Sequence, residues 1–196
     1  VVILCNKMST CKSRLLIELK DSCRVEDQEI QLIHREFIFA IYNLHNTINS
    51  EQDLLFWNAV IRGPKETPYE NFIFKLAIII PLQYPMLPPS IKFITPIFHP
   101  NVNFQTGTIG PILLDLYNTH AAIGDVCIDV IKDNWTPAWT IHTVCRAILS
   151  ILCDPNPDSP LNCDAGNILR YGDTKCFNNM ARMYSLEHAE FLNNTY

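Results

Sequence analysis

The chain has 196 residues, 48% of them hydrophobic and 18% charged, which is typical of one globular domain long enough to bury its own core. Its formal net charge is -5 and it contains no long run of Lys or Arg, so a nucleic acid is not an expected partner. The apolar run at residues 76–80 stops at Pro81, far short of the roughly 20 residues that a membrane-spanning helix needs. Direct membrane insertion is therefore not expected.

The eight cysteines are scattered through the chain, and no secretory signal is recognisable. No two of them have the CxxC spacing of a zinc site, and the six histidines form neither an HxxxH nor an HExxH pattern. We therefore expect reduced cysteines, a cytosolic location, and neither a metal nor a cofactor.

The beginning of the chain is interpreted as an extension at residues 1–8, followed by a single domain at residues 9–196. A helix over residues 9–22 is predicted, because apolar side chains recur at helical spacing, with Ser9 or Thr10 as its N-cap. Four strands are predicted next, at residues 30–33, 57–61, 72–80 and 91–94. Strands that follow one another in this way favour an antiparallel meander.

The second half of the chain is predicted to be helical. Residues 140–152 carry apolar side chains at three- and four-residue spacing, typical of a buried central helix, and the prolines after Asp154 end it. Residues 164–185 predict one or two shorter helices divided at Gly172. The predicted fold class is therefore α+β.

One cysteine, Cys127, lies in a short apolar segment that is followed by Trp135 and Pro137. A free cysteine between apolar residues is usually a small core residue. The alternative is a nucleophilic thiol at the surface, because the Trp and the Pro stiffen the exit of the segment.

Several motifs together favour the nucleophile. In identity and order they resemble the signature segments of the ubiquitin-conjugating enzymes: His99-Pro100-Asn101, Cys127-Ile-Asp129, Trp135-Thr-Pro-Ala138 and Asp154-Pro-Asn-Pro-Asp158. The stretches at residues 57–70 and 84–89 look like the sheet and the proline-rich loop of the same family. The resemblance extends from about Ser13 to about Ser185, and it implies a fold with an N-terminal helix, a four-stranded meander, a central helix and C-terminal helices.

The resemblance also implies a reaction. The ubiquitin-activating enzyme passes ubiquitin to Cys127 as a thioester, and the acyl group then moves to a lysine of a target protein. Asn101 either stabilises the oxyanion or holds the loop that does so. His99 is expected to serve structure, with its ring bonded to backbone, and Pro100 to fix the turn.

Other site residues follow from the same resemblance. Ser159 stands where several family members have an acidic residue that orients the attacking lysine, and a serine supplies negative charge only when phosphorylated. Asp158 is the neighbouring carboxylate. The expected contacts to a RING-type ubiquitin ligase are Arg14, Met86, Pro137 and Ala138.

Two apolar stretches depart from the family pattern, at about residues 34–52 and 108–124. Surface loops tolerate insertions but are normally polar. Our preferred interpretation is that both are short introns retained in the translated sequence, and the alternative is a docking surface. In the family the cysteine stands eight or nine residues after the asparagine, which here reaches Ile109 and Gly110, whereas the spacing from Cys127 to Trp135 needs no adjustment.

Three further segments, after Asn101, after Pro137 and after Asp158, look closest to the peroxisomal branch of the family. That branch modifies an import receptor and is recruited to the peroxisomal membrane by an anchor protein. A functional alternative remains, namely a variant of the same fold that has lost catalysis and serves as a ubiquitin-binding scaffold.

Overall fold

The computed structural model describes residues 2–22, 24, 27–34, 53–103 and 135–192. Its helices are α1 (Val2–Ser22), α2 (Ile141–Cys153), α3 (Cys163–Arg170) and α4 (Thr174–His188), with a short 3-10 helix at Asp53–Leu55. Its strands are β1 (Ile30–His34), β2 (Phe56–Arg62), β3 (Phe72–Ile79), β4 (Ser90–Phe93) and β5 (Glu190–Phe191).

The strands form one antiparallel sheet in the order β1-β2-β3-β4. The register places Leu32 opposite Ala59 and Ile78 opposite Ile91. The predicted α+β class and meander are confirmed. The two-residue strand β5, which was not predicted, pairs with the start of β3, where Phe191 faces Phe72.

One face of the sheet is buried beneath the helices. Alternate side chains of β2 and β3 point into the core, as expected for a sheet with one covered face. The central helix α2 contacts β1 and β2 and contributes the predicted apolar stripe. Its buried members are Ile141, Val144, Cys145, Ile148, Leu149 and Leu152.

The helix boundaries agree with the prediction at α2 and differ at α1. A reciprocal pair of bonds between Thr140 and Thr143 caps α2, and its last residue is Cys153. Helix α1 begins at Val2 rather than at residue 9, so the predicted cap residues lie within the helix and residues 2–8 continue it. The reason is that neither Gly nor Pro interrupts the chain before Ser9.

An ion cluster fastens α2 to the start of β1. The carboxylate of Asp27 accepts a bond from Nε2 of His142 at 2.8 Å and one from Arg146 at 2.5 Å. Burial alone would raise the pKa of Asp27, but the backbone N–H of Glu29, the ring of His142 and the charge of Arg146 lower it further than burial raises it. The cluster therefore stabilises the ionised carboxylate.

A tight turn after β2 supports the candidate site. A Cβ added to Gly63 would lie 1.7 Å from the carbonyl oxygen of Tyr69, so only glycine allows this close approach. The buried hydroxyl of Tyr69 donates to the carbonyl of Phe98 at 2.7 Å, and its ring centroid lies 6.1 Å from that of His99. The turn thereby positions the chain next to His99.

The side chains of five cysteines are described by the structure, and all five are free. Cys11 and Cys145 are buried, whereas Cys153 and Cys163 are exposed. Across residues 2–22, 24, 27–34, 53–103 and 135–192, no helix is both long enough and apolar enough to cross a bilayer. The same residues contain no cluster of three His, Cys, Asp or Glu side chains that would hold a metal.

We predict that Gly63→Ala lowers the free energy of unfolding by about 3 kcal/mol, because the added methyl group forces the Tyr69 carbonyl away. Urea denaturation measures the change. Gly172→Asn is the control, since Gly172 has a φ of 78° that Asn tolerates and nothing lies within 4 Å of its added Cβ. A loss for Gly63→Ala no larger than that of the control would contradict the close approach.

Candidate active site

The proposed nucleophile Cys127 lies outside the described residues, together with the rest of residues 104–134. The two stretches predicted as insertions also lie outside them, apart from His34 at the end of β1. The described part of the site consists of the turn at His99–Asn101 and the segment at residues 154–162, which hydrogen bonds hold together.

His99 is completely buried, and both of its ring nitrogens are bonded to backbone. Nδ1 accepts the N–H of Asn101 at 3.0 Å, so Nε2 carries the proton and donates it to the carbonyl of Ile151 at 3.1 Å. Burial lowers the pKa of His99 to about 4, although its bond to Ile151 opposes this change. The ring is therefore neutral near pH 7, and neither nitrogen is available for proton transfer in this arrangement.

Asn101 pairs with the backbone of Asn156. Its Nδ2 donates to the Asn156 carbonyl at 2.9 Å, and its Oδ1 accepts the Asn156 N–H at 2.9 Å. Only 2% of the residue is exposed. In this conformation the amide holds the 154–158 segment, and contact with an oxyanion would require the pair to open.

The carbonyl of Pro100 extends this connection to α3. It accepts the N–H groups of Leu161 at 2.8 Å and of Asn162 at 3.0 Å. Asn162 in turn caps α3, because its Oδ1 accepts the N–H groups of Asp164 and Ala165. The turn thus fixes the path of the chain from Asn156 into α3.

Asp158 and Ser159 lie at the exposed end of this segment. The Asp158 N–H donates to Oδ1 of Asn156 at 2.9 Å, and its carbonyl accepts from Arg170 at 3.1 Å. The backbone of Asp158 is therefore held in place, while its side chain is open to solvent.

The predicted ligase contacts lie on α1 and on two loops. Met86 is 71% exposed, and Pro137 and Ala138 are also exposed. Trp135 joins the two loops, because its Nε1 donates to the Pro85 carbonyl at 2.9 Å. The peptide bond between Tyr84 and Pro85 is cis.

Arg14, the fourth predicted contact, is partly exposed. It donates from Nε to Glu18 at 2.7 Å and from its second terminal nitrogen to the Trp139 carbonyl at 3.1 Å. Glu18, which is buried, was not among the site residues predicted from the sequence. Its position on the same helix face as Cys11 and Leu15 was a usable signal, because a carboxylate on a buried face needs partners.

The chain is similar to known proteins over most of its length. The family model described as ubiquitin-conjugating enzyme matches residues 28–121 and 116–185. Protein PEROXIN-4 of Arabidopsis thaliana is 42% identical over 180 residues, which cover 91% of this chain and 94% of the relative. Ubiquitin-conjugating enzyme E2 pex4 of Dictyostelium discoideum is 46% identical over 135 residues, or 69% of this chain and 79% of the relative.

A solved structure shows the same likeness. It is the H. polymorpha ubiquitin conjugating enzyme Pex4p in complex with the soluble domain of Pex22p, with 28% identity and a TM-score of 0.68. The match covers 92% of this chain and 99% of that one.

These matches, together with the fold and the His99–Asn101 turn, settle the class of protein. The chain belongs to the ubiquitin-conjugating enzyme family, and its activity is that of a ubiquitin-conjugating acyltransferase. Within that family its relatives include the peroxin-4 enzymes, so the predicted likeness to the peroxisomal branch is confirmed.

The neutral state of His99 predicts a pH dependence. The unfolded chain protonates this histidine below about pH 6.5, whereas the folded chain resists protonation until about pH 4. Stability is therefore fully present above pH 6.5, and up to about 3 kcal/mol is lost as the pH falls towards 4. His99→Gln, which keeps a nitrogen donor but does not titrate, is expected to be less stable at pH 7 and to lose less on acidification.

Urea unfolding of both proteins at pH 7, 5.5 and 4.5 measures the difference between their pH slopes. Other titrating groups are common to both chains and cancel in the comparison. Identical slopes for the wild type and His99→Gln would show that His99 is not held neutral.

Proposed function

We propose that Cys127 carries ubiquitin as a thioester between the activating enzyme and a lysine of the target protein. The Cys127 thiolate attacks the thioester carbonyl carbon on the activating enzyme, a new C–S bond forms, and the activating enzyme's cysteine leaves as a thiolate. A lysine amine then attacks the new thioester, loses a proton as the amide forms, and releases Cys127 as a thiolate. The supporting observation is the buried His99–Asn101 turn, bonded to the 154–162 segment in a member of this family.

Asn101 is proposed to act by positioning the segment. Its amide oxygen and nitrogen are both bonded to the Asn156 backbone, so losing the side chain would leave the Asn156 N–H and carbonyl without these partners. The segment carries Asp158, whose exposed carboxylate is our candidate for orienting the incoming lysine, with Ser159 beside it.

The exposed residues on α1 and the two loops are proposed to bind a RING-type ubiquitin ligase. Met86, Pro137 and Ala138 present apolar surface, and Arg14 lies beside them through its bond to Trp139. Aromatic contacts support these loops from below, with the ring centroids of Tyr84 and Trp135 lying 6.0 Å apart. A rigid apolar surface of this kind suits a protein partner, because few side chains need to be ordered on binding.

We also propose that an anchor protein recruits the chain to the peroxisomal membrane. The support for this proposal is the likeness to the peroxin-4 enzymes, one of which was solved with the soluble domain of Pex22p. The target proposed by the same reasoning is the peroxisomal import receptor.

The first experiment incubates the chain with activating enzyme, ATP and ubiquitin. We expect a conjugate that thiol reductant cleaves, and we expect Cys127→Ser to give either a conjugate resistant to reductant or none. Cys153→Ser and Cys163→Ser are matched controls, because both cysteines are exposed and free. Unchanged, reductant-sensitive labelling of Cys127→Ser would move the site to another cysteine, and no labelling of the wild type would favour a ubiquitin-binding scaffold.

The second experiment tests how Asn101 acts. Asn101→Ala is expected to slow transfer from the charged enzyme to free lysine by about tenfold or more, since each 1.36 kcal/mol of lost stabilisation is a factor of about ten in rate. It should also speed hydrogen exchange at the Asn156 amide, which loses its acceptor.

Asn156→Ala is the control for Asn101→Ala, because it keeps the backbone groups that pair with Asn101 and removes only the bond to the Asp158 N–H. Slower transfer by Asn101→Ala with unchanged exchange at Asn156 would indicate direct contact with the oxyanion instead.

A further inference from the structure

Glu18 brings three separate parts of the chain to one buried carboxylate. Only 6% of the residue is exposed. Its Oε1 accepts from Nε of Arg14 at 2.7 Å and from the hydroxyl of Tyr84 at 2.6 Å. Its Oε2 accepts the backbone N–H of Ile141 at 2.8 Å.

Each of these partners belongs to a segment of the proposed docking surface. Tyr84 begins the proline-rich loop that exposes Met86, and Ile141 is the first residue of α2, directly after the loop that exposes Pro137 and Ala138. Arg14 connects α1 to the second loop directly, because it also donates to the carbonyl of Trp139. One carboxylate therefore fixes α1 relative to both loops.

Tyr84 is the donor in its bond to Glu18. Burial, followed by the bond to Glu18, raises the pKa of the Tyr84 hydroxyl, which therefore keeps its proton. The bond to Glu18 also raises the pKa of Arg14. A negative charge at the first N–H of α2 interacts favourably with the helix dipole, and bonds to charged groups are the stronger kind.

Neither Glu18 nor Tyr84 can itself contact a docked protein, since both lie below the surface. Their effect on binding must pass through the groups that they hold. A second contact between the loops, from Trp135 to the Pro85 carbonyl, does not involve Glu18, so the loops remain near each other without it. What is lost is the bond from α1 to Tyr84 and to Ile141, and the Arg14 side chain that reaches Trp139 loses its own partner on α1.

We propose that Glu18 is a positioning residue for partner docking, because it sets the arrangement of α1 and the two exposed loops, and that this surface, proposed above for the ligase, also docks the activating enzyme. The inference rests on the proposed function, in which ubiquitin reaches the chain from that enzyme. It assigns a role in recognition to a buried group that acts through the exposed residues it holds in place.

The test measures thioester formation as a function of chain concentration, with ubiquitin-charged activating enzyme as the probe. Glu18→Gln keeps the size of the side chain, but its amide cannot accept from Arg14, Tyr84 and Ile141 together. We expect the KM for the chain to rise by about tenfold, with kcat unchanged, because a loosened surface weakens docking and leaves the chemical step intact.

Tyr84→Phe is the second variant and carries the test if Glu18→Gln does not fold. It removes only the hydroxyl that donates to Glu18, and we expect a smaller rise in KM of about threefold. In the double variant the KM ratio should be less than the product of the two single ratios, since both changes act through one group. Glu187→Gln is the matched control, because that side chain is 64% exposed and lies on α4.

The outcomes separate the two proposals. A wild-type chain that takes no ubiquitin would overturn the proposed function. A wild type that is charged, with Glu18→Gln and Tyr84→Phe both within about twofold of it in KM, would overturn the role of Glu18 alone. A fall in kcat at constant KM would also overturn it, because weakened docking raises KM and leaves the chemical step intact. Chain concentrations are counted as folded protein, measured by circular dichroism for each variant, since an unfolded fraction would raise the apparent KM without weakening docking.

Discussion

The candidate site depends on the paired hydrogen bonds between the side-chain amide of Asn101 and the backbone of Asn156. The Asn101 residue is only 2% exposed, so each bond lost would leave one of its buried side-chain atoms without a partner. His99 lies beneath the pair and ties it to the end of α2 through Ile151, and Pro100 ties it to the start of α3. The turn, the helix end and the following segment therefore form one rigid unit.

Helix α2 connects this unit to the proposed docking surface. Its first N–H is bonded to Glu18, and the carbonyl of Ile151, in its last turn, is bonded to His99. The helix has 13 residues, so its ends lie about 20 Å apart. The apolar stripe of α2 packs on the sheet, and Asp27 bonds to His142 and Arg146 on the helix. Helix α2 therefore keeps the proposed docking surface and the His99–Asn101 turn at a fixed distance from each other.

Helices and strands could be predicted from the sequence where one apolar periodicity dominates the segment. The strands β2 and β3 and the helix α2 each have an uninterrupted apolar pattern, and Asp154 with its prolines ends the helix. The predicted start of α1 at residue 9 was wrong. Serine and threonine act as N-caps only where the preceding residues are not helical, and here residues 2–8 belong to the helix. Strand β5 was missed, since two residues carry no period and pair with β3 only after α4 brings them there.

Candidate site residues could be named from the sequence, but their geometry could not be predicted from it. Motif resemblance selected His99, Asn101 and Asp158, but no local pattern could show that Asn101 bonds to a backbone 55 residues further along the chain. The role of Glu18 was not predicted for a related reason, because its three partners come from three segments of the chain. Contacts of this kind exist only in the folded chain.

The central claim is that one thiol, Cys127, accepts ubiquitin. Its most direct test is peptide mapping by mass spectrometry after charging with activating enzyme, ATP and ubiquitin, with the thioester preserved at low pH. The account predicts that the ubiquitin C-terminus is attached to the peptide containing Cys127. Attachment to the peptide of Cys153 or Cys163, or to none, would contradict it.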